Sequence, residues 1–284
     1  MHPILFTIPG VDFPIRSFGV MLAIGFLVGS WVFTKLVEKR VSNPEKDVPR
    51  YGQLPVWILI GIVIGARLLY VIVEVSKGSP VGHQYIDKPW TVLAVWEGGL
   101  VMYGGLFGGM LAGSWCCFKN DIAIPGAMDV GLVAGFVGYG IGRIGCLLVG
   151  DDYGAIVPPE FADWSFPLVL HVPNPLPPGS LFGDENAGQV LWATQPWMSL
   201  NGFLLAALGA FLLKRRHYRG QVSLILIVGY AIDRSIIEHF RGDTLRGVWF
   251  GGAISTSQLI SIGAGTLALV ILLALAKRRD PEPI

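Results

Sequence analysis

The sequence has little charge. Of 284 residues only 14% are Asp, Glu, Lys or Arg, 52% are hydrophobic and three are cysteine. The apolar residues come in long blocks without the period of an amphipathic helix, which excludes an ordinary water-soluble chain and indicates a polytopic helical membrane protein. Cys116, Cys117 and Cys146 lie inside or at the edge of apolar segments with no metal-like spacing, so neither a disulfide framework nor a metal site is expected. Nucleic-acid binding has no support, because the basic residues sit in short loops where membrane topology accounts for them. Residues 1–16 have no basic n-region and no small-residue cleavage site, so no removable signal peptide is expected.

Seven blocks approach the roughly 20 residues needed to cross a bilayer. They run over about 17–35, 55–75, 92–118, 125–149, 197–213, 221–240 and 251–276. Lys35, Lys39, Arg40, Lys46 and Arg50 follow the first, Lys119 the third and Lys214, Arg215, Arg216 and Arg219 the fifth, with Lys277, Arg278 and Arg279 in the tail. The other face has only Arg16, Lys77, Lys88, Arg241 and Arg246. The positive-inside rule then puts the N-terminus outside and the C-terminus in the cytoplasm. The expected fold is an all-α integral membrane protein of about seven transmembrane helices, one polytopic membrane domain over 1–284. Residues 151–196, proline-rich with several aromatics, form an external loop or head between spans four and five.

Arg67, Arg143 and Arg234 lie within spans. A charge there costs at least about 2.5 kcal/mol on insertion scales and needs a partner or a wet cavity. Each sits towards the outer end of its span, and Glu97, Tyr103 and Gln258 fall at the same depth, which indicates one polar cavity open to the outer leaflet. Asp129, near the inner end of span four, reads as structural. Arg234 and Glu238 are four apart on one helix face, a spacing that an ion pair neutralising only itself would also give. With Arg143 added, arginine exceeds the acids available for pairing, and a bidentate phosphate becomes the attractive ligand. Gly104 and Gly108, Gly105 and Gly109, and Gly109 and Gly113 give span three a small-residue face for close helix approach. Gly98 and Gly99, beside Glu97, lie where backbone could approach a ligand.

These residues carry a resemblance. SFG at Ser17–Gly19, GARLLY at Gly65–Tyr70, LAVWEGGLVMYGGLFGG at Leu93–Gly109, GRIG at Gly142–Gly145 with a glycine-bounded end at Gly150–Gly154, TQ at Thr194 and Gln195, RSIIEHFR at Arg234–Arg241 and SQ at Ser257 and Gln258 together resemble the prolipoprotein diacylglyceryl transferase family. The resemblance covers nearly the whole chain. It implies an enzyme of the bacterial inner membrane that moves the diacylglyceryl group of phosphatidylglycerol onto the lipobox cysteine in the signal peptide of a prolipoprotein. A thioether forms and glycerol 1-phosphate leaves, with no cofactor and no metal.

The chain departs from the family pattern at several positions. Tyr103 stands where the family has histidine, Cys146 for asparagine, Asp151 for glutamate in G-E-x-x-G, and Phe18 for tyrosine, while the family's H-P-T-Q-x-Y-E stretch is reduced to WATQPWM from Trp192. Arg143, Arg234, Glu238, Gly98, Gly104 and Gly154 match. The resemblance therefore implies Tyr103, Arg143, Asp151, Arg234 and Glu238 as catalytic, and Arg67, Glu97, Gly98, Gly99, Gly104, Gly154 and Gln258 as substrate-binding. Tyrosine is a poor base at a reference pKa of about 10, and His239 is a conceivable substitute. A relative that binds or presents anionic phospholipid without transferring it is the alternative.

Overall fold

The computed structural model describes residues 1–10, 12–242, 247–249 and 254–279. Arg246 and residues 251–253, expected at the start of the seventh span, lie outside them, as does the side chain of Glu97. The helices are α1 (Ser17–Glu38), α2 (Pro44–Ser76), α3 (Pro80–Asp87), α4 (Met102–Lys119), α5 (Ile124–Val149), α6 (Thr194–Leu212), α7 (Gln221–Glu238) and α8 (Thr256–Ala274). Among the described residues four of them, α1, α2, α5 and α8, are long and apolar enough to cross a membrane. Among the described residues the strands make only two-stranded pairs. The chain is an all-α membrane protein.

Two boundaries differ from the sequence expectation. α2 starts at Pro44, eleven residues before the expected span, because the Asn43 side chain accepts from the Lys46 N–H, Pro44 opens the helix and Glu45 and Asp47 occupy the first turn. α4 starts only at Met102. Two short 3₁₀ turns, Pro89–Leu93 and Val95–Glu97, precede it, and Gly98 and Gly99 follow with φ of 88° and 70°. Those left-handed angles break the apolar run that reads as continuous from 92 to 118.

The described chain forms two compact units, one from residues 34–127 and the other from residues 1–33 with residues 128–279. In the first, α2 packs antiparallel on α4 through glycine backbone: a Cβ on Gly65 would fall 2.8 Å from Gly108 Cα, and one on Gly61 2.6 Å from Ala112 Cβ. The small-residue face of α4 thus meets a second one on α2. The Val101 N–H donates to Ala66 O at 3.1 Å where α4 begins.

In the other unit α1 crosses α5 just as closely, with a Cβ on Gly25 2.8 Å from Gly138 O and one on Gly29 3.1 Å from Ala134 O. α6 joins α5 through Ser199 Oγ, which donates to Gly140 O at 2.8 Å, and reaches α7 where a Cβ on Gly209 would meet Leu226 at 2.9 Å. α8 packs on α7 where Gly265 abuts Ala231. α5 and α7 run in the same direction: Asp129 near the start of α5 binds Gly220 and Ser223 at the start of α7, Tyr139 and Tyr230 touch midway, and Gly154 bridges to Arg241 beyond both ends. α6 is the return between them.

Asp129 is wholly buried. Its carboxylate accepts from Arg216 Nη1 at 3.0 Å, the Gly220 N–H at 2.9 Å, the Ser223 N–H at 2.8 Å and Ser223 Oγ at 2.7 Å. It caps the N-terminus of α7 from another helix and neutralises one arginine, in agreement with its structural reading.

Strands β1 (Ile4–Ile8) and β2 (Phe13–Arg16) form a hairpin before α1, and β5 (Val248–Trp249) pairs with β6 (Ile254–Ser255) before α8. The segment between α5 and α6 is ordered: β3 (Val169–His171) pairs antiparallel with β4 (Val190–Trp192) over a small core of Val172, Phe182 and Leu191. A chain of rings, Phe161, Trp164, Trp192, Trp197 and Phe240, ties this head to the ends of α6 and α7, and Trp197 Nε1 donates to Pro167 O at 2.8 Å.

Candidate active site

The most concentrated charge lies where α5 and α7 end. Arg143 Nη1 donates to one carboxylate oxygen of Asp152, and Arg241 Nη2 donates to the other. The Arg143 guanidinium lies 4.9 Å from the centroid of the Tyr139 ring, one turn back on α5, and 3.8 Å from Cys146 Sγ. Both arginines are mostly buried, with 17% and 6% of their side-chain surface exposed, whereas Asp152 keeps 26%. Two guanidinia converging on one half-open carboxylate make an anion site.

The strand-like piece that carries Asp152 is clamped from both sides. Gln195 Nε2 donates to Asp151 O and Thr194 Oγ1 to Asp152 O, each at 2.9 Å, which gives the TQ dipeptide a mechanical role. From the far end of α7, the Gly242 N–H donates to Tyr153 O at 3.2 Å, and the Ala155 N–H donates to Phe240 O at 2.8 Å. Gly154 is pressed between them: a Cβ there would fall 2.6 Å from Trp192 Cβ and 2.9 Å from Phe240 O. Asp152 has φ of 54°, a left-handed angle that Asp tolerates better than most residues.

The two neighbouring acids differ. Burial acts to raise the Asp152 carboxyl, but the charges of Arg143 and Arg241 outweigh it and hold the group below its ordinary value. Asp151 goes the other way, pushed up by desolvation and then by the Asp152 charge. Its Oδ1 accepts from the Asp152 N–H at 2.9 Å.

Arg234 follows Tyr230 by one turn just as Arg143 follows Tyr139, and the two tyrosine rings lie 5.9 Å apart, so both arginines sit one turn beyond a shared aromatic contact. Arg234 Nη2 pairs with Glu238 Oε2 at 2.8 Å, and both residues are buried. Arg234 Nη1 is buried with no hydrogen-bond partner among the described residues. Such a donor is costly to leave in apolar surroundings and suits an anionic ligand. His239, exposed, bonds through Nδ1 to Ser235 O at 2.8 Å. Gln258 completes a capping box with Ser255 at the start of α8 and donates to Ser235 O on α7 at 3.3 Å.

In the unit of residues 34–127, Arg67 is spent on its own chain. Its guanidinium donates to Val92 O at 2.8 Å, Thr91 O at 2.9 Å, Gly98 O at 2.7 Å and Gly99 O at 3.3 Å, between the rings of Tyr70 and Tyr85. It moulds the loop of residues 91–99 by collecting its carbonyls. Gly99 packs on the Tyr70 ring, where a Cβ would come 2.8 Å from Cζ, and Gly104 packs against α2, 2.5 Å from Leu69 Cβ by the same measure. Tyr103 is half-buried in the first turn of α4.

The structure thus places Arg143, Asp151, Gly154, Arg234, Glu238 and Gln258 in one unit and Arg67, Glu97, Gly98, Gly99, Tyr103 and Gly104 in the other. Sequence reasoning passed over Asp152, Arg241 and Tyr139. In the sequence Arg241 reads only as a loop charge, although it closes the RSIIEHFR stretch, and Asp152 is hidden behind its acidic neighbour. Cys146 Sγ and carboxylate oxygens of Asp151 and Asp152 lie within 4.8 Å of one another, close enough to share a cation. Within that cluster both Asp152 oxygens already accept from guanidinia.

A family model described as prolipoprotein diacylglyceryl transferase matches residues 3–274. Similar proteins include the phosphatidylglycerol–prolipoprotein diacylglyceryl transferases of Gloeobacter violaceus, 28% identical over 97% of this chain and 93% of the relative. That of Clostridium tetani is 28% identical over 92% and 93%, and that of Bartonella tribocorum 30% identical over 82% and 75%.

Proposed function

The chain belongs to the prolipoprotein diacylglyceryl transferase family, and from that premise we propose that it transfers the diacylglyceryl group of phosphatidylglycerol to the lipobox cysteine of prolipoproteins. A carbon–sulfur bond forms at a glycerol carbon of the lipid, and the carbon–oxygen bond to the phosphate breaks. The bonding electrons leave with glycerol 1-phosphate, and the thiol gives up its proton. The observation that carries this reading is the set of buried guanidinia at the ends of α5 and α7: Arg143 and Arg241 on one carboxylate, and Arg234 with a buried N–H that has no acceptor among the described residues.

Placement supports each role. Arg143 and Arg234 hold the phosphate and stabilise the charge that grows on it as the bond breaks. Glu238 fixes the Arg234 fork. Asp151, whose carboxyl is pushed above its ordinary value, is a better proton acceptor than Asp152, which is committed to two arginines. Tyr103 holds the motif position at the start of α4 and orients headgroup or thiol through its hydroxyl. Arg67, Glu97, Gly98, Gly99, Gly104, Gly154 and Gln258 support substrate binding, as the family resemblance implies.

The enzyme resides in the bacterial inner membrane, with seven spans, the N-terminus and head outside and the C-terminus in the cytoplasm. The basic residues distributed after spans one, three, five and seven support that orientation. The test is complementation of a bacterium depleted of its own diacylglyceryl transferase, with a prolipoprotein followed by gel shift and mass spectrometry. Restored thioether modification is expected. Arg143→Ala and Arg234→Ala should each lower transfer by about 10²–10³-fold while still inserting, and full activity in either would remove it from phosphate binding. An inserted, folded wild-type chain that binds phosphatidylglycerol and modifies no prolipoprotein would overturn the transferase reading.

A further inference from the structure

Asp152 lies at one of the x positions of the G-E-x-x-G pattern, where the family's motif asks for no acid, yet its carboxylate occupies the point on which Arg143 and Arg241 converge. A phosphate oxygen binding those guanidinia would need the same donors. Each Asp152 oxygen takes an N–H from a different arginine, the bridging arrangement that two oxygens of a phosphate also make.

The acid is also built to let go. It rides on the clamped run of residues 151–155 rather than on a helix, and its backbone is fixed independently of its side chain by Thr194 and its peptide neighbours. The carboxylate is more exposed than either arginine, so rotation about its side-chain torsions would release both guanidinia while every backbone bond stays in place. Arg234, by contrast, pairs with Glu238 in the last turn of α7, where both side chains are more deeply buried than that of Asp152.

We propose that Asp152 is a tethered competitor for this anion site: the lipid phosphate must displace its carboxylate to reach Arg143 and Arg241, and the carboxylate returns to help expel the phosphate product. The inference rests on the transferase reading for its substrate, but the competition itself requires only a phosphate oxyanion. Asp152 then sets how tightly the site holds a phosphate, whether carried by a lipid or free in water. A merely structural role, in which Asp152 orders the two arginines for their ligand, predicts the opposite sign.

The experiment compares the full-length wild type with Asp152→Asn and Asp152→Glu in nanodiscs. Glycerol 1-phosphate binding is measured by calorimetry without turnover, and transfer from phosphatidylglycerol to a lipobox peptide separately. Asn keeps the shape and tolerates the left-handed backbone but gives up the charge. Asp152→Asn should bind glycerol 1-phosphate about tenfold more tightly, on the order of one charge-assisted hydrogen bond released to the ligand. Its KM for phosphatidylglycerol should fall, and Asp152→Glu should return both towards wild type. Should Asp152→Asn fail to accumulate, Asp152→Ser carries the same comparison. Unchanged or weaker phosphate binding in the neutral variant overturns the proposal, even if the wild type transfers lipid normally. Tighter binding by the variant, with no transfer by any form, would sustain the competitor and overturn the transferase reading instead. A gain seen with lipid and not with glycerol 1-phosphate would overturn competition at the phosphate and locate the effect at the acyl or glycerol part.

Discussion

Asp129 and Arg67 show two ways of keeping a charge inside a membrane protein. Asp129 is an acid with four donors around it, two of them backbone N–H groups at the N-terminus of a helix that has no side-chain cap of its own at Gly220. Replacing it by alanine leaves Arg216 without its buried counter-ion and the first turn of α7 without an acceptor. Loss of one partner from a buried pair costs about 3–5 kcal/mol, so Asp129→Ala should show a large drop in thermal midpoint, read by tryptophan fluorescence in detergent. Asp129→Asn, which keeps an acceptor oxygen, should lose less. Arg67 solves the same problem with carbonyls, four of them, and pairs with no acid among the described residues. Counting arginines against carboxylates in the sequence therefore overstates the charge left over for a ligand, since backbone oxygens do not appear in such a count. Asp129 was readable as structural from its depth alone. The engagement of Asp152 rather than Asp151 was not, because the choice depends on a left-handed backbone angle at Asp152.

Helix contacts are made through glycine, and the two partners of a contact are not equally visible. The three i, i+4 glycine pairs of α4 announce a packing face, whereas Gly61 and Gly65 on α2 sit in a run of isoleucine, leucine and valine and become conspicuous only once α4 is laid across them. Gly65→Ala should force the helices apart. Overpacking costs about 1–3 kcal/mol, visible as a lower thermal midpoint. Gly52→Ala in the same helix, with nothing within 4 Å of its would-be Cβ, should be neutral or slightly stabilising, by roughly 0.4–1 kcal/mol. Equal losses at both positions would show that glycine is needed there for something other than close approach. The break before α4 was invisible for a related reason. Apolar runs report burial and not backbone angle, so Gly98 and Gly99 read as one more small-residue pair until the carbonyls they present to Arg67 are seen.

On the scale of the molecule, composition was enough to show an all-α membrane protein, and the distribution of lysine and arginine yields an orientation that a labelling experiment can check. In intact cells or spheroplasts a membrane-impermeant maleimide should label a cysteine introduced at the exposed Glu160 of the head, whereas Lys277→Cys should label only after permeabilisation. The native thiols are buried and give a low background. The reverse pattern would invert the topology and place the arginine site on the cytoplasmic side. The family was legible because its motifs are spread along the chain, while the arrangement of the site was not: Arg143, Thr194 and Arg241 meet around residues 151–154 from three helix ends far apart in sequence.

The parallel course of α5 and α7 also orders events at the ribosome. Asp129 leaves the exit tunnel 94 residues ahead of Ser223, an interval of about 5–20 s at roughly 5–20 residues per second. Through that interval the acid has neither the helix end nor the arginine that it will bind. α5 must therefore wait with its first turns near water, and the arrival of residues 216–223 is the step that lets it settle. Nascent chains arrested before Arg216 should leave a cysteine placed at the neighbouring Val130, wholly buried in the folded chain, open to aqueous alkylation, and chains arrested well past Ser223 should not.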